Sequence, residues 1–149
     1  MSAFRAEHVE RAHSFAIALP VARAFPLFEP QGERLWAEGW DPVYLHPADG
    51  RAVKGMVFTT SHGHEETIWT LVRHEPATGI VEYVRVTPGS RTGRVLVQCT
   101  ALDAGRTRVH VIYAMTGLTE AGNARVRELD EPRYREYIES WATAIGKTL

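Results

Sequence analysis

Cysteine is almost absent from this sequence: Cys99 is the single one, so no disulfide can form within the chain. Such scarcity is consistent with a reducing compartment. Long apolar runs are also missing, because the best one, 15–22, is interrupted by Pro20 and a membrane span needs about 20 residues. The first residues show no basic segment leading into an apolar run, so we expect no secretory signal. We therefore expect a cytoplasmic protein without stable membrane insertion.

Neither sign of charge is in excess. The chain has 17 Lys and Arg residues against 18 Asp and Glu residues, a net charge of −1. Without a positive field there is no general attraction to nucleic acid, which is not an expected partner. The 149 residues favour one domain, 1–149, with a core that needs no disulfide or metal to stabilise it.

The hydrophobic pattern alternates in the first two thirds of the chain, which is typical of strands. A first strand is predicted over 7–19, and turn residues then separate a short strand at 43–45 from a longer antiparallel series. Two short helices are expected between them, at 21–28 and 32–38, the second ending at Gly39. The predicted series comprises 53–61, 66–74, 80–87, 94–102 and 107–116.

The pattern becomes helical after 116. Thr119 is a candidate N-cap of a short helix, and Asp130-Glu131-Pro132 is a typical start of a longer one. The spacing predicts a helix over 132–147 with one apolar stripe. That stripe comprises Tyr134, Tyr137, Ile138, Trp141 and Ile145.

This order predicts an α+β fold in which a curved antiparallel sheet wraps around a long C-terminal helix, with two short helices after the first strand. The order resembles the helix-grip fold of the SRPBCC superfamily, also called START-like, which includes polyketide cyclase/dehydrase and lipid-transport proteins. The resemblance also rests on 20–25 after the first strand, on Thr107-Arg108-Val109 and on the final helix with Trp141. It implies a single START-like domain and a cavity for a small apolar or amphipathic molecule. The superfamily has no universal catalytic residue, so the resemblance assigns none, and it implies no cofactor.

Closing the turns at 74–79, 88–93 and 102–107 predicts which side chains share a sheet face. Polar groups among apolar neighbours on an inward face would orient a ligand. The strand around 95–101 favours the opposite face, and one bulge would reverse part of the assignment. The candidate ligand-binding residues are Tyr83, Arg85, Gln98, Tyr113, Tyr137 and Trp141. The face predicted to point inward carries Ile68, Thr70, Val72, Val81, Tyr83, Arg85, Leu96, Gln98, Val109, Val111, Tyr113 and Met115.

Other motifs have competing interpretations. Arg85 could instead pair with Glu66 on a solvated face. The segment 62–66, with two histidines around Gly63, could hold a metal, but a polar hairpin turn is the better interpretation, and no metal is expected. Cys99 in an apolar strand is expected to be inert. Glu82, Arg108 and His110 form either a proton-transfer group or an exterior charge cluster, and the exterior cluster is favoured.

Three functions follow from these expectations. The first is binding of a small hydrophobic or amphipathic molecule, for example a lipid, between the sheet and the last helix. The second is a cyclase- or dehydratase-type enzyme acting on a polyketide-like or aromatic substrate in the same cavity. The third is a chaperone-assisting interaction module, which would show an exposed apolar patch. Two apolar sheet faces would also allow a homodimer.

Overall fold

The computed structural model describes residues 3–149. Within that range the chain forms strands and helices in the order predicted. The strands are β1 (His8–Ile17), β2 (Val43–His46), β3 (Val57–His62), β4 (Glu65–Glu75), β5 (Ile80–Thr87), β6 (Arg91–Asp103) and β7 (Arg106–Gly117). The helices are α1 (Val21–Ala24), which continues as a 3-10 turn (Phe25–Phe28), then α2 (Pro30–Glu33), α3 (Glu120–Arg127) and α4 (Glu131–Gly146).

All the described strands join one antiparallel sheet in the order β1-β7-β6-β5-β4-β3-β2. Consecutive strands from β2 to β7 are hairpin neighbours, whereas β1 pairs with β7. The sheet is curved, and α4 packs across it, in contact with β1. The predicted α+β helix-grip architecture is confirmed. No helix among residues 3–149 is both long and apolar enough to cross a membrane.

Helix α4 begins as the sequence predicts. The Asp130 side chain accepts a hydrogen bond from the backbone N–H of Arg133, and Pro132 lies in the first turn, where its missing N–H costs no helical hydrogen bond. The predicted stripe is confirmed with one exception, because Tyr137 is 48% exposed. The buried residues of the stripe are Tyr134, Ile138, Trp141 and Ile145.

The predicted strand registers are wrong in part. Val72 in β4 and Leu102 in β6 are extra residues at irregular positions of the ladder, and the β5–β6 turn closes at Thr87 and Arg91 rather than at 88–93. Because strand side chains alternate with a period of two, one extra residue reverses every face beyond it. Strands β5 and β7 therefore bury the predicted face, whereas β4 and β6 bury the opposite one. The inward side chains of β4 and β6 include Trp69, Leu71, Val95, Val97 and Cys99.

The segment between β1 and β2 differs from the expectation of a helix at 32–38. Helix α2 begins at Pro30 and ends at Glu33, and turns follow it. A Cβ at Gly32 would lie 1.8 Å from the carbonyl oxygen of Pro26, so a residue with a side chain would force the two turns apart. This close approach fixes the path of the chain that carries Glu33 and Trp36 over the sheet.

Candidate ligand-binding cavity

A cavity of about 460 Å³ lies between the concave face of the sheet, the segment 33–40 and helix α4. Pockets for drug-sized ligands span roughly 300–1,000 Å³, so a small organic molecule would fit. The tryptophans and tyrosines of its wall are Trp36, Trp40, Trp69, Tyr83, Tyr113, Tyr137 and Trp141.

Three of the tryptophans use their indole N–H groups within the protein. Trp36 donates to the carbonyl oxygen of Leu27 at 2.8 Å, Trp40 to that of Pro30 at 2.9 Å, and Trp69 to the hydroxyl of Thr60 at 2.9 Å. With these donors occupied, the rings offer mainly apolar surface to the cavity. The wall therefore favours a ligand that is mostly apolar and ring-bearing.

Tyr83 also lines the cavity, but its hydroxyl is engaged elsewhere. It donates a hydrogen bond to the carbonyl oxygen of Phe28 at 2.7 Å, which fixes the 3-10 turn against β5. Burial raises the pKa of Tyr83 well above its usual value, and Glu33 and Glu29 add to the rise. The phenol is therefore neutral and contributes wall surface and anchoring.

Arg85 is the cationic group of this cavity. Its guanidinium carbon lies 4.7 Å from the centre of the Trp69 ring, within the range of a cation–π contact. Its Nε is buried without a hydrogen-bond partner, and within residues 3–149 its guanidinium joins no ion pair. Burial lowers the pKa of Arg85 from its usual value, but an arginine keeps its charge in proteins. A desolvated cation without a counter-ion is a site for an anionic or carbonyl oxygen.

The other arginines at the cavity are neutralised by the protein itself. Arg91 holds Glu65 through two nitrogens, at 2.9 and 3.1 Å, and Arg125 contacts the same carboxylate at 3.0 Å. Hydrogen bonds from Arg91 are the largest cause that lowers the pKa of Glu65 from its usual value. A second cavity, of about 480 Å³, shares Arg85, Arg91, Arg125 and Tyr113 with the first. Arg85 is therefore the guanidinium left for a ligand.

Glu33, the last residue of α2, adds a carboxyl group to the cavity wall. It forms no side-chain hydrogen bond and no ion pair in the part of the chain described. Its neighbour Arg34 contacts Asp41 at 2.9 Å instead. Burial raises the pKa of Glu33 well above its usual value. A carboxyl group in such surroundings favours its neutral, protonated form.

Tyr113 and Tyr137 form the polar part of the wall beside α4. Their ring centres are 6.1 Å apart in an edge-to-face arrangement. Burial raises the pKa of Tyr113 well above its usual value, Tyr137 adds to the rise, Arg85 opposes it and Glu33 raises it further. The charges of the Arg85 guanidinium and the Glu33 carboxyl therefore both act on the pKa of Tyr113.

Five of the six predicted site residues share this cavity: Tyr83, Arg85, Tyr113, Tyr137 and Trp141. Gln98 does not belong to its wall, because β6 is reversed relative to the predicted register. It pairs with His110 and Ile80 in the ladder, on the face that points away from the cavity. The polar group that sequence reasoning missed is Glu33, whose position depends on the turns around Gly32 and not on any hydrophobic pattern.

The structure also distinguishes between the competing interpretations of single motifs. The pairing of Arg85 with Glu66 does not occur, since Glu66 is exposed and lies next to Ser61 on the opposite face. Residues 62–65 form the hairpin turn between β3 and β4, with Gly63 at φ 60°. No group of three or more potential metal ligands occurs among residues 3–149. Cys99 is buried, and burial raises the pKa of its thiol to about 12, which opposes a role as nucleophile.

Glu82, Arg108 and His110 all lie on the outer face of the sheet, but no hydrogen bond or ion pair joins them within residues 3–149. Glu82 lies 3.7 Å from Arg94, and the Nδ1 of His110 is 2.6 Å from the hydroxyl of Ser14. Burial and then Arg108 lower the pKa of His110 from its usual value. These groups lie on the side of the sheet away from the cavity.

No protein-family model matches the chain, and no curated protein matches it in sequence. Solved structures do match it over nearly its whole length. The Zhui aromatase/cyclase from Streptomyces sp. R1128 is 17% identical with a TM-score of 0.65, covering 97% of this chain and 94% of that chain. Norcoclaurine synthase from Thalictrum flavum, solved in complex with dopamine and hydroxybenzaldehyde, is 9% identical with a TM-score of 0.68, covering 95% and 86%.

An uncharacterised protein from Rhizobium leguminosarum is 13% identical with a TM-score of 0.69, covering 96% of this chain and 97% of that chain. At these identities the likeness establishes the fold. The predicted helix-grip fold is thus confirmed, while the residues of the cavity are this chain's own.

Proposed function

We propose that the protein binds a small, mainly apolar, ring-bearing molecule that carries an anionic or carbonyl oxygen. The ligand lies between the sheet and α4, with its rings against the tryptophans and its oxygen on Arg85. The observation that carries this proposal is the Arg85 guanidinium, which lies over the Trp69 ring without a counter-ion among residues 3–149 and has its Nε buried without a partner. A ligand oxygen would supply the missing partner.

The structural neighbours support this function without identifying the ligand. Norcoclaurine synthase holds dopamine and hydroxybenzaldehyde, so the same fold accommodates small aromatic molecules there. The recessed cavity also favours ligand binding over the chaperone-assisting interaction module, which would rely on an exposed apolar patch. A cyclase or dehydratase would return a changed molecule, whereas a binding protein returns its ligand intact.

The test uses 2-naphthoate, a flat aromatic carboxylate, as a probe in isothermal titration calorimetry. The wild-type protein is compared with Arg85→Met, which keeps an apolar stem and removes the charge. Losing a hydrogen bond to a charged group costs about 1.5–3 kcal/mol, or roughly 10- to 150-fold in affinity. We expect a loss of this size for Arg85→Met.

Arg108→Met is the matched control, because Arg108 is exposed on the outer face of β7 and forms no ion pair in the part of the chain described. It should bind the probe like the wild-type protein. Equal affinity of Arg85→Met and the wild-type protein, or no binding by any of them, would contradict the proposal. Native mass spectrometry of the purified protein adds the identity of any co-purifying molecule, and its recovery unchanged after incubation separates binding from turnover.

A further inference from the structure

Glu33 is an ionisable residue of the cavity wall that neither the fold nor the proposed function explains. Its carboxyl group lines the cavity and forms no side-chain hydrogen bond or ion pair among residues 3–149. The hydroxyl of Tyr83, which lines the same cavity, is donated to the carbonyl oxygen of Phe28. The indole N–H of Trp36, another wall residue, is donated to the carbonyl oxygen of Leu27. The protein therefore leaves this carboxyl group without a partner.

An ionised carboxylate without a cation is costly in such a place. Arg85 could have supplied the cation, but the two groups do not form an ion pair. Glu33 helps to raise the pKa of Tyr83, and Arg85 follows Tyr83 by two residues on the same face of β5, roughly 6.6 Å further along the strand. The neutral acid avoids the cost of ionisation, and a neutral carboxyl group has an O–H to donate.

We propose that the Glu33 carboxyl group, in its protonated form, donates a hydrogen bond to a neutral oxygen of the ligand whose anionic or carbonyl oxygen binds Arg85. This inference rests on the proposed function and narrows the ligand class to ring-bearing molecules with two oxygen functions at separate positions. Binding then depends on pH, because ionised Glu33 loses its donor and repels an acceptor oxygen.

Other ionisable groups surround Glu33 and must be separated from it. From the sheet these are Tyr83, Tyr113 and, on β2, Tyr44, and from α4 the cavity has Tyr137. From its own segment they are Glu29, which lies 2.6 Å from His74, together with Arg34 and Glu38. The β3–β4 end of the cavity adds His62, Glu65, Arg91 and Arg125. Among these groups, His62 and His74 carry imidazoles, and the Glu33→Gln variant below separates their contribution from that of Glu33.

The experiment compares two probes that do not titrate near neutral pH. The first is 6-acetyl-2-naphthoate, which has a carboxylate for Arg85 and a carbonyl oxygen for Glu33, and the second is 2-naphthoate, which lacks that carbonyl oxygen. Their affinities are measured by calorimetry over a pH series for the wild-type protein, Glu33→Gln and Glu33→Ala. Glutamine keeps a donor at this position but cannot ionise.

For the wild-type protein we expect the acetyl probe to bind roughly three- to tenfold more tightly than 2-naphthoate in acidic buffer, the range for one net hydrogen bond. This advantage should vanish as the pH rises through the raised pKa of Glu33. Glu33→Gln should keep the advantage at every pH, and Glu33→Ala should lose it at every pH.

Two results would overturn the inference while leaving the proposed function intact. One is 2-naphthoate binding that depends on Arg85 with no advantage for the acetyl probe at any pH. The other is a pH-dependent advantage that persists in Glu33→Gln, which would assign the effect to His62 or His74. Absence of binding of both probes would overturn both proposals.

Discussion

Replacing Arg85 by methionine should make the ligand-free protein more stable while it weakens binding. Arg85 has a buried Nε without a partner, and an unsatisfied buried polar group costs about 1–3 kcal/mol. The contact with the Trp69 ring at 4.7 Å offsets part of this, since cation–π contacts contribute about 0.5–2 kcal/mol. Methionine keeps the apolar stem against the ring and removes the desolvated charge.

Replacing buried ionic groups by apolar residues of similar volume is often neutral or stabilising by about 1–4 kcal/mol. For a charge without any counter-ion, we expect Arg85→Met to raise the free energy of unfolding by about 1–2 kcal/mol. The assay is urea unfolding followed by tryptophan fluorescence, with the free energy extrapolated to water and the slope compared between variants.

Arg91→Met is the control on the same cavity wall. Arg91 holds Glu65 through two hydrogen bonds, so its removal leaves a partly buried carboxylate with weaker pairing and should destabilise the protein by about 1–3 kcal/mol. Opposite changes in the free energy of unfolding for these two arginines of one cavity would show that only Arg85 lacks a counter-ion. Destabilisation by Arg85→Met of the same size as Arg91→Met would show that Arg85 is a structural residue, and the reasoning would be refuted.

The remaining predictions concern the wall and the carboxyl group. Trp141→Ala should lower the free energy of unfolding by about 3 kcal/mol, the lower end of the range for buried aromatic truncations, because one side of the ring borders the cavity. Replacing the exposed Arg135 by alanine should change the free energy of unfolding by less than about 0.5 kcal/mol. Equal effects of the two substitutions in urea unfolding would contradict the packing of α4. Glu33→Gln should be more stable than the wild-type protein in alkaline buffer, but not at a pH below the ordinary glutamate pKa. The pKa of Glu33 is higher in the folded than in the unfolded protein, so the stability of the wild-type protein falls as the pH rises from the unfolded to the folded pKa. A melting-temperature difference that does not grow with pH would show that Glu33 is not desolvated. Tyr83→Phe should cost about 1–2 kcal/mol by leaving the carbonyl oxygen of Phe28 unpaired, with unchanged calorimetric affinity for 2-naphthoate; a large affinity loss would place the hydroxyl at the ligand.

Patterns that depend on local periodicity could be predicted from the sequence. The apolar stripe of α4 and its start at Asp130 follow from helix geometry and capping, and both are present. The clear alternation in β7 from Val109 to Met115 predicted the buried face of that strand. These elements each carry their signal within a dozen residues, so no knowledge of the remaining chain is needed.

Features that depend on strand register or on the path of the chain could not be predicted from the sequence. Gln98 was assigned to the cavity because an ideal hairpin was assumed, whereas Leu102 is an extra residue in β6. Nothing in the composition of that strand marks the irregular position, although its apolar residues did favour the opposite face. Glu33 was missed because its place over the sheet depends on the close packing of Gly32 against Pro26, a contact between two turns without hydrophobic periodicity.

Arg85 should bind an oxygen of a ligand that lies between the sheet and α4. The most direct measurement is a crystal structure of the protein with 2-naphthoate. We expect the naphthalene rings between Trp69 and Trp141, with carboxylate oxygens about 2.7–2.9 Å from the Arg85 guanidinium nitrogens. Density for the probe outside this cavity, or Arg85 turned to pair with Glu65 while the cavity stays free of the probe, would contradict it.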